Sequence, residues 1–310
     1  MPKISVVMNC HNGASFLKES IQSVFNQTFT DWEIIFFNNY STDNSEEIAH
    51  SFGNKVKVFN SRKLLNLGHA RAEALNLSNG EWITFLDTDD LWMEKKLEIQ
   101  LEEIEGSDFA LGYSGVTEID QMGKAFRKQI PKYNSGYIFN DQLQNFEINM
   151  VTPIINANFL SKNNLNFNHN FTASEEYNLF MKICALSPVM VQKKILGSYR
   201  IYEESLTNKF MKNWASERFE TLDYLKDTHK KIFDLNKKGF ESAYARGDYY
   251  LARYHYENGN KNQAKTLIKK NIHVSMVYLF LYLMANIPLL WKFFHKRKVK
   301  SLLSKFLNIR

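Results

Sequence analysis

The first hundred residues alternate short apolar runs with segments of helical spacing. The runs Ile4–Met8, Trp32–Phe37, Val56–Phe59 and Trp82–Leu86 each predict a buried strand. Between them, apolar residues three or four positions apart predict helices, which include Ser41–Phe52, Ala70–Leu77 and Glu94–Glu105. Because parallel strands need crossover connections, this alternation predicts an α/β fold with a mostly parallel central sheet.

Composition argues against several classes of protein. Apolar residues make up 44% of the 310-residue chain and charged residues 23%, which is typical of a globular protein and not of a disordered chain or a multi-span membrane protein. The apolar run after Lys3 is too short for a secretory signal, so we expect a cytoplasmic protein. Cys10 and Cys184 have no CxxC partner, which argues against a disulfide framework and a cysteine-based zinc module.

Positive charge is concentrated near the C-terminal end. The chain carries a net charge of +6, yet no acidic residue follows Glu257, whereas eleven Lys and Arg residues do. Residues 271–291 contain no Asp, Glu, Lys or Arg, and 299–307 have apolar residues at helical spacing between lysines. This pattern predicts peripheral binding to the anionic inner face of the cell membrane. The alternative is a helix packed on the protein body with a solvated basic face.

Two other interpretations of this segment are less well supported. Residues 271–291 are long enough to span a bilayer once, but a span would place the basic tail outside, against the positive-inside tendency. Nucleic acid is not an expected partner, because no recognisable recognition fold accompanies the basic residues. We therefore predict three parts: a catalytic domain over 1–210, a helical region with a tetratricopeptide-like hairpin over 211–270, and membrane-associating helices over 271–310.

Two carboxylates directly follow the fourth predicted strand. Asp87 and Asp89 are separated by one residue, and in open α/β sheets ligands bind outside the carboxyl ends of the strands. Carboxylate oxygens suit Mg²⁺ or Mn²⁺, which is typically shared with substrate phosphates. The alternative is a solvated acidic turn that caps the next helix. The chain has no GxGxxG after its first strand, no GxxxxGK[ST] and no HExxH.

A series of short motifs then makes a family resemblance specific. In order they are VVMNCHNG at 6–13, IQSV at 21–24, QT at 27–28, EII at 33–35, STD at 41–43, NLG at 66–68, Arg71, GE at 80–81 and FLDTDD at 85–90. The series resembles family 2 glycosyltransferases of the GT-A fold, closely over residues 3–100. Ser174–Phe180 resembles the family's acidic base motif, and Tyr199–Arg200 with Ser205–Thr207 resembles its closing loop.

The resemblance implies an inverting transfer from a nucleotide sugar, usually a UDP-sugar. Mn²⁺ or Mg²⁺ would be held by Asp87 and Asp89, and Glu176 would deprotonate the acceptor hydroxyl, with Glu175 as the alternative base. Arg71 would contact the diphosphate or lie on an exposed helix surface. The implied donor-site residues are Cys10, Asn12, Asn39, Asp43, Arg71, Asp87, Thr88 and Arg200.

The chain also departs from the family pattern. Asn38-Asn39-Tyr40 stands where two aspartates and a glycine are usual, and Tyr202 where many relatives have a histidine. We expect an enzyme whose acceptor is a glycan, either a lipid-linked oligosaccharide or a lipopolysaccharide-like glycan. One alternative is a GT-A-like nucleotide-sugar-binding protein with weak catalysis. Another is a metal-dependent nucleotidyltransferase, although residues 9–13 lack the basic phosphate-binding loop that such an enzyme needs.

Overall fold

The computed structural model describes residues 1–202 and 210–295. These residues divide into two compact units. The first contains Met1–Phe139 and the chain from Glu147 to Tyr202, and the second contains Asn140–Phe146 and the chain from Phe210 onward. The closing-loop residues 205–207 and the predicted amphipathic helix at 299–307 lie outside the described residues. The division into three parts at residues 210 and 270 stays a prediction.

The first unit is built on a sheet that has nine strands within the described residues. They are β1 Ile4–Cys10, β2 Trp32–Asn38, β3 Val56–Asn60, β4 Trp82–Phe85, β5 Leu91–Trp92, β6 Leu111–Ile119, β7 Ala125–Gln129, β8 Ile154–Asn156 and β9 Val189–Arg200. The strand order is β3-β2-β1-β4-β8-β6-β9-β5, with β7 paired to β6. Strands β3, β2, β1 and β4 are parallel, and β8 runs antiparallel to both β4 and β6. The predicted α/β fold is confirmed, and its sheet is mixed beyond β4.

The first three helices connect the parallel strands, and further helices follow later strands of the sheet. These helices are α1 Ala14–Phe25, α2 Ser45–His50, α3 Leu67–Asn76, α4 Lys96–Ile104, α6 Ala157–Lys162 and α7 Glu175–Leu186. Helix α5, Phe139–Gln144, belongs to the second unit from Asn140 onward. The alternate residues Ile4, Val6 and Met8 of β1 are fully buried in one cluster with Leu17 and Ile21 of α1. Burial on both faces explains why β1, β2 and β4 are mostly apolar, whereas the edge strand β3 exposes Lys57 and Asn60.

The predicted helix Ser41–Phe52 was too long. Helix α2 begins only at Ser45, because the preceding residues form a loop around the carboxylate of Asp43. Asp43 accepts hydrogen bonds from the backbone N–H of Ser45 at 3.1 Å and from that of Ala14 at 2.9 Å. Short polar side chains compete in this way with helix formation. Residues 41–44 therefore form a loop at the edge of the sheet instead of a first helical turn.

The second unit is helical over its described residues. Its helices after α5 are α8 Met211–Thr228, α9 Lys230–Leu235, α10 Lys237–Glu257, α11 Lys261–Lys270, α12 Met276–Ala285 and α13 Pro288–His295. The buried Trp291 of α13 stacks on Tyr256 of α10, with ring centroids 4.5 Å apart. Among the described helices, none combines the length and the apolar character that a membrane span requires.

Candidate active site

The loops that follow β1 and β2 are joined at one edge of the sheet. Cys10 and Asn38, the last residues of these strands, are register partners. Asn12 adopts a left-handed backbone conformation, with φ of 54°, and its backbone N–H donates to Ser41 Oγ at 3.0 Å. Its side-chain oxygen accepts from the backbone N–H of Thr42 at 2.8 Å. The two loops therefore form a single polar wall.

The carboxylate of Asp43 lies at the start of two helices. Besides the bonds from the backbone of Ala14 and Ser45, it accepts one from the Ser45 hydroxyl at 2.5 Å. Partial desolvation works against the charged form, but these hydrogen bonds outweigh it and hold the pKa of Asp43 below its usual value. The geometry gives Asp43 a part in shaping the wall, and its contact with a donor stays a prediction.

Asn39 and Gly13 fix the inner side of this wall. The buried Asn39 side chain exchanges two hydrogen bonds with the backbone of Leu65, at 2.9 and 3.0 Å, and its own N–H donates to the Cys10 carbonyl at 2.7 Å. A Cβ added at Gly13 would lie 2.6 Å from Thr88 Oγ1, so glycine is what allows the loops after β1 and β4 to approach. Burial raises the pKa of the Cys10 thiol, which therefore stays neutral.

A buried arginine holds two carboxylates together. Arg71 of α3 is only 6% exposed, and its Nη2 lies 2.8 Å from Asp87 Oδ1 and 3.0 Å from Oδ2. Its Nη1 donates to Glu175 at the start of α7. Burial opposes the guanidinium charge, but the two carboxylates outweigh burial and raise the pKa of Arg71. The Asp87–Arg71–Glu175 network thus joins the end of β4 to the start of α7, and Arg71 is not a surface residue.

Arg200 supports the acidic loop from behind. Its side chain is buried, its Nε donates to the carbonyl of Asp89 at 2.8 Å, and its Nη2 contacts Glu19 at 2.8 Å. Its backbone N–H donates to Asp90 Oδ1, also at 2.8 Å. The Arg200 donors are thus directed at protein atoms, and the predicted contact of this arginine with a donor stays a prediction.

The carboxyl group of Asp89 has a raised pKa. Burial and the negative charge of Asp87 raise the pKa of Asp89 to about 6, and a hydrogen bond from the Tyr202 hydroxyl partly opposes this. A divalent cation would relieve the repulsion between Asp87 and Asp89, and oxygen ligands are those that Mn²⁺ and Mg²⁺ prefer. The residues present therefore fit such an ion.

Glu176 is half-buried in the first turn of α7. Burial and the adjacent charge of Glu175 raise the pKa of Glu176 to about 8, although Arg71 opposes the shift. A carboxyl group with such a pKa is a better proton acceptor than an ordinary glutamate once it is ionised. The structure thus brings Asp87, Arg71 and Glu175 into direct contact and places Glu176 next to this network.

Three contributing residues were not among the predicted site residues. They are Asp90, Glu19 and Tyr202, which contact Arg200 or Asp89. The FLDTDD motif contained Asp90, but only the long-range pairing of β9 with the chain near β5 brings Arg200 to it. Tyr202 was noted as a departure from a histidine, and its hydroxyl could have been expected to reach the same carboxylates.

Comparison with known proteins shows the family and the fold of this chain. A family model, Glycosyl transferase family 2, matches residues 5–164, which is 160 of the 310 residues. A Rickettsia bellii glycosyltransferase is 31% identical over 207 residues, which are 66% of this chain and 30% of that protein. The chain therefore spans less than a third of that relative's length.

A second relative matches over nearly its whole length. The Escherichia coli UDP-Glc:alpha-D-GlcNAc-diphosphoundecaprenol beta-1,3-glucosyltransferase WfgD is 25% identical over 274 residues, 83% of this chain and 98% of WfgD.

Two solved structures share the fold. S. aureus TarS 1–349 in complex with UDP-GlcNAc has a TM-score of 0.67 at 16% identity, covering 91% of this chain and 84% of TarS 1–349. The Pyrobaculum calidifontis mannosyltransferase PcManGT, in complex with GDP-Man and Mn²⁺, has a TM-score of 0.61 at 12% identity, covering 94% and 86%.

Replacing Arg71 by leucine should destabilise the protein strongly. The variant leaves Asp87 and Glu175 without their shared cation, and breaking a buried ion pair costs about 3 to 5 kcal/mol. Urea denaturation measures this loss. The matched control is Lys3→Met, because half-buried Lys3 also bridges two carboxylates, Glu81 at 2.7 Å and Glu105 at 2.5 Å, but both of these glutamates are exposed. That variant should lose under about 1 kcal/mol. Equal losses in the two variants would contradict a network held by burial.

Proposed function

Because the chain belongs to glycosyl transferase family 2, we propose that it transfers a sugar from a nucleotide sugar to a hydroxyl group of a glycan. The observation that carries this proposal is the Asp87–Arg71–Glu175 network, which connects the strand-end carboxylates to the half-buried Glu176. Such an arrangement offers a site for a metal-bound diphosphate and a proton acceptor on one unit of the protein.

The donor that we propose is a UDP-hexose. The name of WfgD specifies UDP-Glc, and the TarS structure holds UDP-GlcNAc. The PcManGT structure holds GDP-Man instead, so in that protein the same fold binds a guanine nucleotide. In this chain the Asn39 side chain is bonded to the backbone of Leu65, which leaves base recognition to the remaining polar groups of the wall.

The reaction that we propose inverts the sugar's anomeric centre in one displacement. The acceptor oxygen forms a bond to the anomeric carbon while the bond from that carbon to the diphosphate breaks, and the electron pair leaves with the nucleoside diphosphate. Glu176 takes the proton of the acceptor hydroxyl from the face opposite the leaving group. Mn²⁺ or Mg²⁺ on Asp87 and Asp89 would supply positive charge to the departing diphosphate.

The chain's own residues prepare the two carboxylate sites. Tyr202 and Arg200 orient the loop that carries Asp89, and Arg71 fixes Asp87 relative to α7. Because Arg71 also binds Glu175, Glu175 serves as a positioning residue and Glu176 remains the group that accepts the proton.

Removing the Asp89 carboxylate should abolish most metal-dependent turnover. Purified protein is assayed with Mn²⁺ and a panel of UDP-, GDP- and dTDP-sugars, with nucleoside diphosphate release as the readout. We expect UDP release that EDTA stops, and Asp89→Asn should lower the rate at least about 100-fold. The control is Asp108→Asn, an exposed carboxylate of the same unit, which should keep its rate. Full activity in EDTA would refute the metal role. UDP binding without any release would favour the non-catalytic alternative.

Glu176→Gln should retain nucleotide affinity but lose turnover by about 10² to 10⁴-fold, because a glutamine cannot accept the proton. The wild-type kcat/KM should rise as pH increases through about 8, since the raised pKa keeps Glu176 protonated below that value. The variant should lose this rise. Glu47→Gln changes an exposed glutamate in the first turn of α2 and should leave the profile intact. A Glu176→Gln enzyme with normal turnover would move the role to Glu175 or another acid.

We further propose that the acceptor is lipid-linked and that the second unit binds the inner surface of the cell membrane. Helices α12 and α13 and the turn between them expose several large apolar side chains, which are Met276, Leu283, Ile287, Leu289, Leu290 and Phe293. The exposed Lys292 lies among them, and anionic lipid favours this combination of apolar and basic groups. The name of WfgD, which specifies a diphosphoundecaprenol-linked acceptor, supports the same assignment.

Substituting two of these side chains should weaken vesicle binding. Leu289 is 81% exposed and Phe293 52% exposed, and burying each in lipid contributes about 1.5 to 3 kcal/mol. Leu289→Ser combined with Phe293→Ser should therefore reduce binding to phosphatidylglycerol-containing vesicles at least about tenfold in a sedimentation assay. The control is Leu235→Ser, which should leave vesicle binding unchanged. Leu235 is 85% exposed, but it lies on α9 and not on the proposed membrane surface. Unchanged binding of the double variant would contradict this membrane surface.

A further inference from the structure

Two histidines and a glutamate form a cluster that the proposed transfer does not use. His69 and Glu73 lie one turn apart on α3, and His169 lies in the loop before α7. One ligand atom from each residue can be chosen so that all three lie within 4.8 Å of one another. His69 Nε2 is 3.7 Å from Glu73 Oε1, and the two imidazole rings stack with centroids 4.5 Å apart.

From this cluster we propose a second metal site, which takes zinc. Zinc binds imidazole nitrogen and carboxylate oxygen at about 2.1 Å, so two of its tetrahedral ligands lie about 3.4 Å apart. The His69–Glu73 separation of 3.7 Å is close to that distance. A ligand atom of the exposed His169 lies within 4.8 Å of the other two, so the site requires its ring to rotate toward them, and water would complete the fourth position.

This cluster and the strand-end carboxylates differ in the metal ions that their ligand atoms prefer. Imidazole suits zinc and other late transition metals, whereas Mg²⁺ and Mn²⁺ prefer the all-oxygen surroundings that Asp87 and Asp89 offer. An excess of Mg²⁺ should therefore occupy the carboxylates and leave the cluster to zinc.

The loop that supplies His169 is already held against α3. The backbone N–H of Gly68 donates to the carbonyl of Phe171 at 2.9 Å. A Cβ added at Gly68 would lie only 2.2 Å from the Asn168 carbonyl oxygen, so the loop and the helix are in close contact on either side of His169. Little backbone ordering is left for the metal to impose.

Zinc at this site would fasten the segment that leads into the proposed base. His69 precedes Arg71 by two residues on α3, and the loop of His169 continues into Glu175 and Glu176. The metal would thus add a second connection between α3 and the start of α7, beside the Arg71–Glu175 contact. Its role is structural, so sugar transfer with Mg²⁺ does not depend on it.

Titration of the full-length protein with ZnCl₂ in excess Mg²⁺ tests the proposal. We expect one zinc equivalent and a higher melting temperature in the wild type. His169→Ala should weaken zinc binding at least about tenfold and lose the rise in melting temperature. Because His169 is exposed, its variant should match the wild type in urea denaturation with EDTA, which checks that it is folded.

The matched control is His50→Ala. His50 Nε2 also lies 3.7 Å from a glutamate one turn away, Glu46, but no third ligand atom joins that pair in the described part of the chain. This variant should bind zinc as the wild type does. The proposal is overturned if the wild type binds no zinc, or if His169→Ala binds zinc with unchanged affinity. Nucleoside diphosphate release with Mg²⁺ is a separate assay that tests the proposed transfer, and its outcome does not depend on whether the protein binds zinc.

Discussion

The arrangement of the site depends on the ion pairs that the buried guanidinium of Arg71 makes with Asp87 and Glu175. Parallel strands carry their polar termini to one edge of the sheet, and this gathers carboxylates that repel one another. Arg71 contacts Asp87 and Glu175, which lie far apart in sequence, and its planar group can serve both at once. Without that charge, a fully buried Glu175 would be strongly disfavoured. The positions of α3, α7 and the acidic loop are therefore coupled.

The same electrostatics divides the carboxylates by role. We assign a structural role to Glu175, which is fully buried on Arg71, and to Asp43, which binds backbone N–H groups at two helix starts. Asp87 also contacts Arg71, but its side chain is 32% exposed and can still reach a metal ion. Asp89 and Glu176 instead have pKa values raised by burial and by a neighbouring negative charge. Groups in this condition gain most from a cation or a proton, which is why we assign them to metal binding and proton transfer.

The sequence predicted the parallel strands well, because β1, β2 and β4 are short, mostly apolar runs that are buried on both faces. Predicted Ile4–Met8 and Trp82–Leu86 correspond to strands Ile4–Cys10 and Trp82–Phe85, and FLDTDD placed the carboxylates at a strand end. Residues 41–44 were wrongly predicted as helix, because side-chain bonds to Asp43 compete with helical ones. The position of Arg200 behind the acidic loop was not predictable, since it depends on pairing between β5 and β9, more than a hundred residues apart.

Hydrogen exchange with bound UDP tests most directly whether this edge of the sheet is the donor site. With Mn²⁺ present, UDP should slow amide exchange in peptides that cover residues 9–13, 39–45 and 87–90, and it should do so far less in EDTA. Protection should be weak in Asp89→Asn. Slower exchange confined to other parts of the chain, or protection of these three segments that is equally strong without the metal, would contradict the assignment of the strand-end carboxylates to a metal-bound diphosphate.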